Sequence, residues 1–135
     1  MLTERLKALT TSPVWLHTGM ELEFAEDGKS KVVLQVKQEL LQIHGTVHGG
    51  ILATLLDAAM ASAVNSVLDE NLFTVTAEMK IHFTKPASGN YLIGMGEIVK
   101  HGKSLTFIKS EIFDEHGEMV AFGSGTFVNR MKKNV

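Results

Sequence analysis

The apolar positions change period along this chain, and each change marks an element. Leu2, Leu6 and Leu9 recur at helical spacing, and the Thr10-Thr11-Ser12-Pro13 cluster behind them predicts the end of a short leading helix. Met20, Leu22 and Phe24 then alternate with Glu21 and Glu23. The turn residues Glu26-Asp27-Gly28 follow, then a β-branched stretch over residues 31–37, so a hairpin is expected. Residues 38–48 have no clean period and read as a loop of functional character. Residues 49–68 are rich in Ala, Leu and Met and apolar almost all the way round, which predicts a buried central helix. From Thr74 onward the pattern is strand-like over 74–84, 91–100, 105–113 and 119–128. Pro86-Ala87-Ser88-Gly89, His101-Gly102-Lys103 and Asp114-Glu115-His116-Gly117 separate these segments, so four consecutive hairpin-connected strands are expected.

A sheet of that size has a face to bury and only one long apolar helix to bury it against. The simplest packing is α+β, with the antiparallel sheet curled around the helix. That leaves an edge strand and part of the helix uncovered, and a second copy of the chain is the expected cover, so at least a dimer is predicted. With 135 residues and no repeat or linker-like stretch, residues 1–135 read as a single domain. The balance of 44% hydrophobic and 21% charged residues places it among globular chains.

Composition removes several chemistries. Without cysteine there is no disulfide, thiolate metal site or cysteine nucleophile. The first seven residues mix charges of both signs and lack the apolar core of a signal peptide, so a cytoplasmic protein is expected. Asp57 and Asn65-Ser66 break the most apolar stretch, which argues against a membrane span. A formal net charge of −2 argues against a general nucleic-acid binder, and any anionic partner should be small.

Asp57 is the only ionisable side chain in residues 49–68. A carboxylate in a mostly dry helix loses hydration, so it is either a reactive group or one satisfied at a wet interface or by backbone donors. Thr54, Asp57, Ala61 and Asn65 share one side of the helix, opposite Leu52, Leu56, Ala59 and Ala63. That stripe suits either a cleft or the close approach of another element. Gly49-Gly50 opens the helix, where the first N–H groups have no intrahelical partner and can point at a developing oxyanion; glycine there also simply permits a tight entry. His44 and His48 stand four apart, but glycines interrupt them and no third ligand has a diagnostic spacing, so no metal is expected. His48 reads as a residue of the helix entry. No Gly-x-Ser-x-Gly elbow is present. Lys100-His101-Gly102-Lys103-Ser104 is a basic turn, and Arg130, Lys132 and Lys133 make the C-terminal end basic; both are either solvated or useful to a phosphate-bearing ligand.

The run His44-Gly45-Thr46-Val47-His48-Gly49-Gly50, with Asp57 after a six-residue spacer, resembles the phenylacetate-pathway (PaaI-like) hotdog acyl-CoA thioesterases. The likeness continues through residues 76–83, Lys85-Pro86-Ala87, Gly102-Lys103-Ser104 and residues 121–127. It implies the hotdog fold, dimers that pair sheets edge to edge and often assemble into tetramers, and active sites at subunit interfaces. It implies a catalytic group of Asp57 as nucleophile or general base, the Gly49 N–H polarising the carbonyl, Gln42 and His48 nearby, and the Thr76 hydroxyl reaching across the interface. Gly50, Phe83, Lys100, Gly102, Lys103 and Ser104 are implied on the substrate and CoA side, with no cofactor. Gln42 departs from the family, whose members commonly carry Asn there, and the added methylene shifts the amide. Asp57 also departs from the subgroup acting on dihydroxynaphthoyl-CoA and hydroxybenzoyl-CoA, which generally uses Glu.

The leading expectation is therefore an acyl-CoA thioester hydrolase. A non-catalytic acyl-CoA-binding sensor or interaction module on the same fold is the alternative. A hotdog dehydratase or hydratase would need a second acid or base paired with Asp57, and the sequence offers none.

Overall fold

The structure is a computed structural model and describes residues 2–133. Two short helices lead: α1 (Glu4–Thr10), capped by the Thr3 hydroxyl on Leu6 N–H, and α2 (Pro13–Thr18). The sequence pattern missed α2, although Pro13 stands at its start and Gly19 closes it in the left-handed region at φ 79°. The cluster that ends α1 also begins α2, which brings Trp15 into the core.

The remaining elements are β1 (Met20–Glu26), β2 (Lys29–Gln35), a 3-10 turn at Gln38–Leu40, the long helix α3 (Gly49–Asn65), β3 (Leu72–Phe83), β4 (Tyr91–His101), β5 (Leu105–Asp114) and β6 (Met119–Met131). α3 ends three residues before its expected limit. There the Asn65 and Ser66 side chains bond back to the Ala61 and Ala63 carbonyls, competing with further helical bonds. The six strands form one antiparallel sheet in the order β1-β2-β4-β5-β6-β3.

That order corrects one expectation. β3 and β4 are consecutive but do not form a hairpin: β4 lies between β2 and β5, while β3 crosses over to pair with β6 at the far edge. Pairing of neighbours in sequence is a tendency, and here the 84–90 connection is tied elsewhere. Thr84 N–H bonds to the Val120 carbonyl, and Lys85 reaches Asp114 and Glu118. Both of these ties hold the start of the connection on the β5–β6 corner.

The sheet curls around α3, with bulges in β1, β3, β4 and at the start of β6 to bend it. Leu55, Leu56, Ala59, Met60, Ala63 and Val64 of the helix are fully buried. They meet Val32, Leu34, Leu92, Ile108, Ile112 and Phe127 from the sheet. Close approach depends on missing side chains. A Cβ on Gly96 would overlap the Ala59 carbonyl oxygen, and one on Gly94 would lie 3.0 Å from Leu55 Cγ. The small residues on this part of α3 therefore serve packing against β4, whereas the Asp57 stripe turns toward β3.

Candidate active site

His48 is the N-cap of α3: its Nδ1 accepts the Gly50 N–H at 2.9 Å, and its carbonyl accepts from Ile51 and Leu52. An accepting Nδ1 places the proton of the neutral ring on Nε2. Cap geometry thus separates two groups that the sequence left together. The Gly50 N–H is engaged, while the Gly49 N–H has no acceptor among the described residues. Position is set by backbone bonds from Val47 N–H to the Ala87 carbonyl at 2.8 Å and from His48 N–H to the Leu40 carbonyl at 2.9 Å.

Asp57 lies eight residues further along α3 and is partly buried. Thr76 Oγ1 donates to its Oδ1 at 2.7 Å. Burial pushes the Asp57 carboxyl above the usual carboxylate range, and the Thr76 hydrogen bond opposes that rise. The hydroxyl comes from the same chain, not from across an interface as expected. The cause is the crossover that lays β3 beside its own helix. A bulge at Ala77 then lets Thr76 pair with buried Phe127 and face α3, while Glu78 pairs with Thr126 on the outer side.

A hollow of about 440 Å³ opens at the start of α3, lined by Gln42, Val47, Gly49, Leu52, Phe83 and Lys85 among others. A Cβ on Gly49 would lie 3.6 Å from the Phe83 ring, so ring and amide are neighbours. Gln42 reaches this hollow, but its amide is spent inside its own loop. Its Oε1 accepts the His44 N–H, and its Nε2 donates to Thr46 Oγ1. His44 is exposed on that loop, and among the described residues no group of three His, Asp or Glu is arranged to hold a metal ion.

The basic turn lies elsewhere. Lys103 and Ser104 line a separate hollow of about 360 Å³ with Asp69, Asn71, Leu72, Asn129 and Met131, at the end of β3 opposite Phe83. Lys100 and Gly102 belong to the same β4–β5 turn. A larger hollow of about 830 Å³, bounded by Phe73, Val75, Arg130 and Met131, follows the free edge of the sheet and does not include Asp57. The structure thus joins Asp57 with Thr76, His48 with Gly50, and Gly49 with Phe83 and Gln42. It does not bring Lys100, Gly102, Lys103 or Ser104 to the helix start within one chain.

Comparison with known proteins fits this arrangement. The thioesterase superfamily model matches residues 44–121, more than half of the chain. The chain belongs to the thioesterase superfamily. This thioesterase is 29% identical over 108 residues to the acyl-coenzyme A thioesterase PaaI of Escherichia coli, covering 79% of the chain and 75% of that protein. A thioesterase family protein from Silicibacter pomeroyi superposes with a TM-score of 0.90 at 27% identity, covering 95% and 96% of the two chains. A Streptococcus pneumoniae thioesterase protein solved with coenzyme A gives a TM-score of 0.84 at 25% identity, covering 96% and 99%. The fold of this thioesterase is accordingly the hotdog fold of the PaaI-like group, and the protein is an enzyme that hydrolyses thioesters.

Sequence reasoning missed the side chains that brace the site. Asn129 and Thr106 are buried polar residues under the basic turn, and Asp114 is a buried carboxylate that anchors Lys85. Asn129 was detectable as a polar residue two positions after Phe127, on the core-facing alternation of β6.

Proposed function

We propose that the substrate is an acyl-CoA, hydrolysed to a free carboxylic acid and CoA with Asp57 as the acting carboxylate and the Gly49 N–H as the oxyanion donor. One observation carries the reading: a partly buried carboxylate held by a hydroxyl, on the same helix as an N-terminal amide that has no acceptor among the described residues. Burial leaves Asp57 poorly hydrated and more basic than a surface carboxylate, which suits attack on a carbonyl carbon or removal of a proton from water. The Gly49 amide stands where an anionic carbonyl oxygen is stabilised, a contribution of about 2.7–4 kcal/mol for one well-aimed donor. Overall, water supplies the oxygen that forms the new C–O bond and the proton that leaves with sulfur as the C–S bond breaks. If turnover runs in ¹⁸O-water, label in the Asp57 carboxylate marks a nucleophile route whose acyl–Asp57 anhydride is opened at the Asp57 carbon. Label confined to the product acid is common to the general base and to opening at the acyl carbon, and rapid-quench detection of an acyl-enzyme separates those two.

Helix geometry supports a site shared between two copies of the chain. Eight residues at 1.5 Å each separate Gly49 from Asp57 by about 12 Å along the axis. A single thioester cannot touch both groups of one chain, since each contact needs about 3 Å. A partner helix running the opposite way would bring its Asp57 to this Gly49. The free edge favours such pairing: β3 is twelve residues long with Phe73, Val75 and Phe83 exposed, whereas the other edge, β1, is seven residues long and carries Glu21, Glu23 and Glu26. Antiparallel pairing of β3 with its copy would also carry one chain's Lys100–Ser104 turn toward the Gly49 end of the other. The coenzyme A recorded in the Streptococcus pneumoniae relative supports a CoA-bearing substrate.

The test is thiol release from a panel of aliphatic, phenylacetyl and benzoyl-CoA esters by wild type, Asp57→Ala and Gly49→Pro. Proline at the first helical position suits that backbone and removes the N–H, but its ring also adds carbons beside Phe83, so Gly49→Ala, which adds a Cβ and keeps the N–H, is the steric control. Asp57→Ala and Gly49→Pro should both lose most turnover while keeping the wild-type assembly. Co-expressed, they should regain activity, because each mixed dimer then holds one intact site if Gly49 and Asp57 act from different chains. Near wild-type turnover by Asp57→Ala would remove that residue from the reaction. Tight acyl-CoA binding without thiol release by the wild type would favour the sensor reading.

A further inference from the structure

The β4–β5 turn is held from below by one buried amide. Asn129 Nδ2 donates to the Gly102 carbonyl and to Thr106 Oγ1, both at 3.1 Å, and its Oδ1 accepts from Thr74 Oγ1 at 3.1 Å. Because a carbonyl can only accept, the Gly102 contact fixes which way the amide points. The Thr106 hydroxyl that accepts this amide is also in hydrogen-bond contact with His101 Nδ1, 2.9 Å away. Asn129 is 8% exposed and Thr106 is fully buried, so breaking their mutual bond leaves buried polar groups unpaired.

The backbone of the turn follows the same direction. Gly102 N–H bonds to the Leu105 carbonyl at 2.8 Å, and Asn129 N–H bonds to the Ser104 carbonyl at 2.8 Å. A Cβ on Gly102 would lie 2.6 Å from the Leu105 carbonyl oxygen, so the turn needs glycine there. The carbonyls of Gly102, Ser104 and Leu105 are thereby drawn inward. The N–H groups of Lys103 and Ser104 have no acceptor among the described residues, and the Lys100 and Lys103 side chains are exposed beside them. Carbonyls turned in, with amides and ammonium groups left outward, make a surface for a phosphate.

We infer that Asn129 is a positioning residue that shapes the 101–104 turn for the phosphates of the CoA nucleotide. The inference rests on the acyl-CoA reading above and adds the element that sets affinity for the nucleotide end. Asn129 lies beneath the turn with its amide engaged by Gly102, Thr106 and Thr74. It acts through Gly102 on one side and through Thr74 on the other, two residues from the Thr76 that holds Asp57. Thr106, Asn129 and Thr74 thus link β5, β6 and β3 beneath the turn.

The experiment compares an acyl-CoA with the matching S-acyl-pantetheine, which lacks the nucleotide, and measures CoA binding by calorimetry on the same preparations. Asn129→Asp keeps the shape but cannot donate to Gly102. It should raise KM for the acyl-CoA and weaken CoA binding about tenfold, with kcat within about twofold and S-acyl-pantetheine kinetics unchanged. Lys103→Met, on the surface, should likewise raise KM for the acyl-CoA and weaken CoA binding. If Asn129→Asp fails to fold, Thr106→Val removes one acceptor of the same amide and carries the comparison. Unchanged CoA affinity, or equal losses on both substrates, would overturn the inference. A wild type that binds CoA but releases no thiol would instead overturn the hydrolase reading, leaving this one standing; a wild type that does not bind CoA would end both.

Discussion

Thr76 Oγ1 donates to Asp57 Oδ1 at 2.7 Å, joining the edge strand to the middle of the central helix. Two opposing influences meet in that bond. Burial raises the carboxyl, and the hydroxyl restrains the rise by stabilising the charged form. The Thr76 hydroxyl thus partly offsets the effect of burial on the Asp57 carboxyl.

Thr76→Val should move the acidic limb of the pH profile of kcat/KM to higher pH, because the influence that lowers Asp57 is gone. At neutral pH kcat/KM should fall by roughly tenfold, the worth of one hydrogen bond to a charged group. Thr76→Ser should restore most of it. A profile unchanged by Thr76→Val would mean that the bond does not tune the reacting group.

The same burial implies a stability cost with a definite sign. Asp57 is raised above its unfolded value, so its contribution is most favourable below about pH 3.9 and is lost as pH rises through the folded value. Asp57→Asn should therefore raise the melting temperature by a few degrees at pH 8 and change it little at pH 3.5. Thermal scans of both proteins at the two pH values decide it; a gain of equal size at both would point to something other than the charge.

His48→Ala removes the side-chain acceptor for Gly50 N–H and should cost about 1 kcal/mol in chemical unfolding. His48→Asn, which can also accept at an N-cap, should recover most of that loss. Equal destabilisation by both changes would show that the ring does more for the fold than cap the helix.

Gly96→Ala places a methyl group against the Ala59 carbonyl oxygen and 2.8 Å from Ser30 Oγ, which itself donates to that carbonyl. The helix would have to lift from β4, at a cost of about 1–3 kcal/mol. Gly117→Ala is a contrasting site: a Cβ there meets nothing within 4 Å, and only its φ of 81° is strained. The urea midpoint of Gly96→Ala should be the lower of the two.

Much of the fold was legible because periodicity is a local signal. The alternation of Met20, Leu22 and Phe24, the apolar run after Gly49 and the turn clusters placed nearly every long element within a few residues. α2 escaped because its six residues are too few to show a period, so only its caps could reveal it. Asp57 stood out by contrast, a lone charge in a long apolar helix. Thr76 came only from a family likeness, and its bond to Asp57 within the same chain depends on a bulge one residue away. Asn129 carried no recognised motif.

By itself the sequence determined the order of the elements, the helix that carries Asp57, the amides that open it and the thioesterase family to which the chain belongs. Only the tertiary structure decided that β3 pairs with β6, that His48 takes the Gly50 amide and leaves that of Gly49, and that Asn129 braces the basic turn. The physical reason is range. Period, capping and turn chemistry act within a few residues, whereas strand order and buried hydrogen bonds are settled when the whole sheet closes around one helix and every buried donor must find an acceptor.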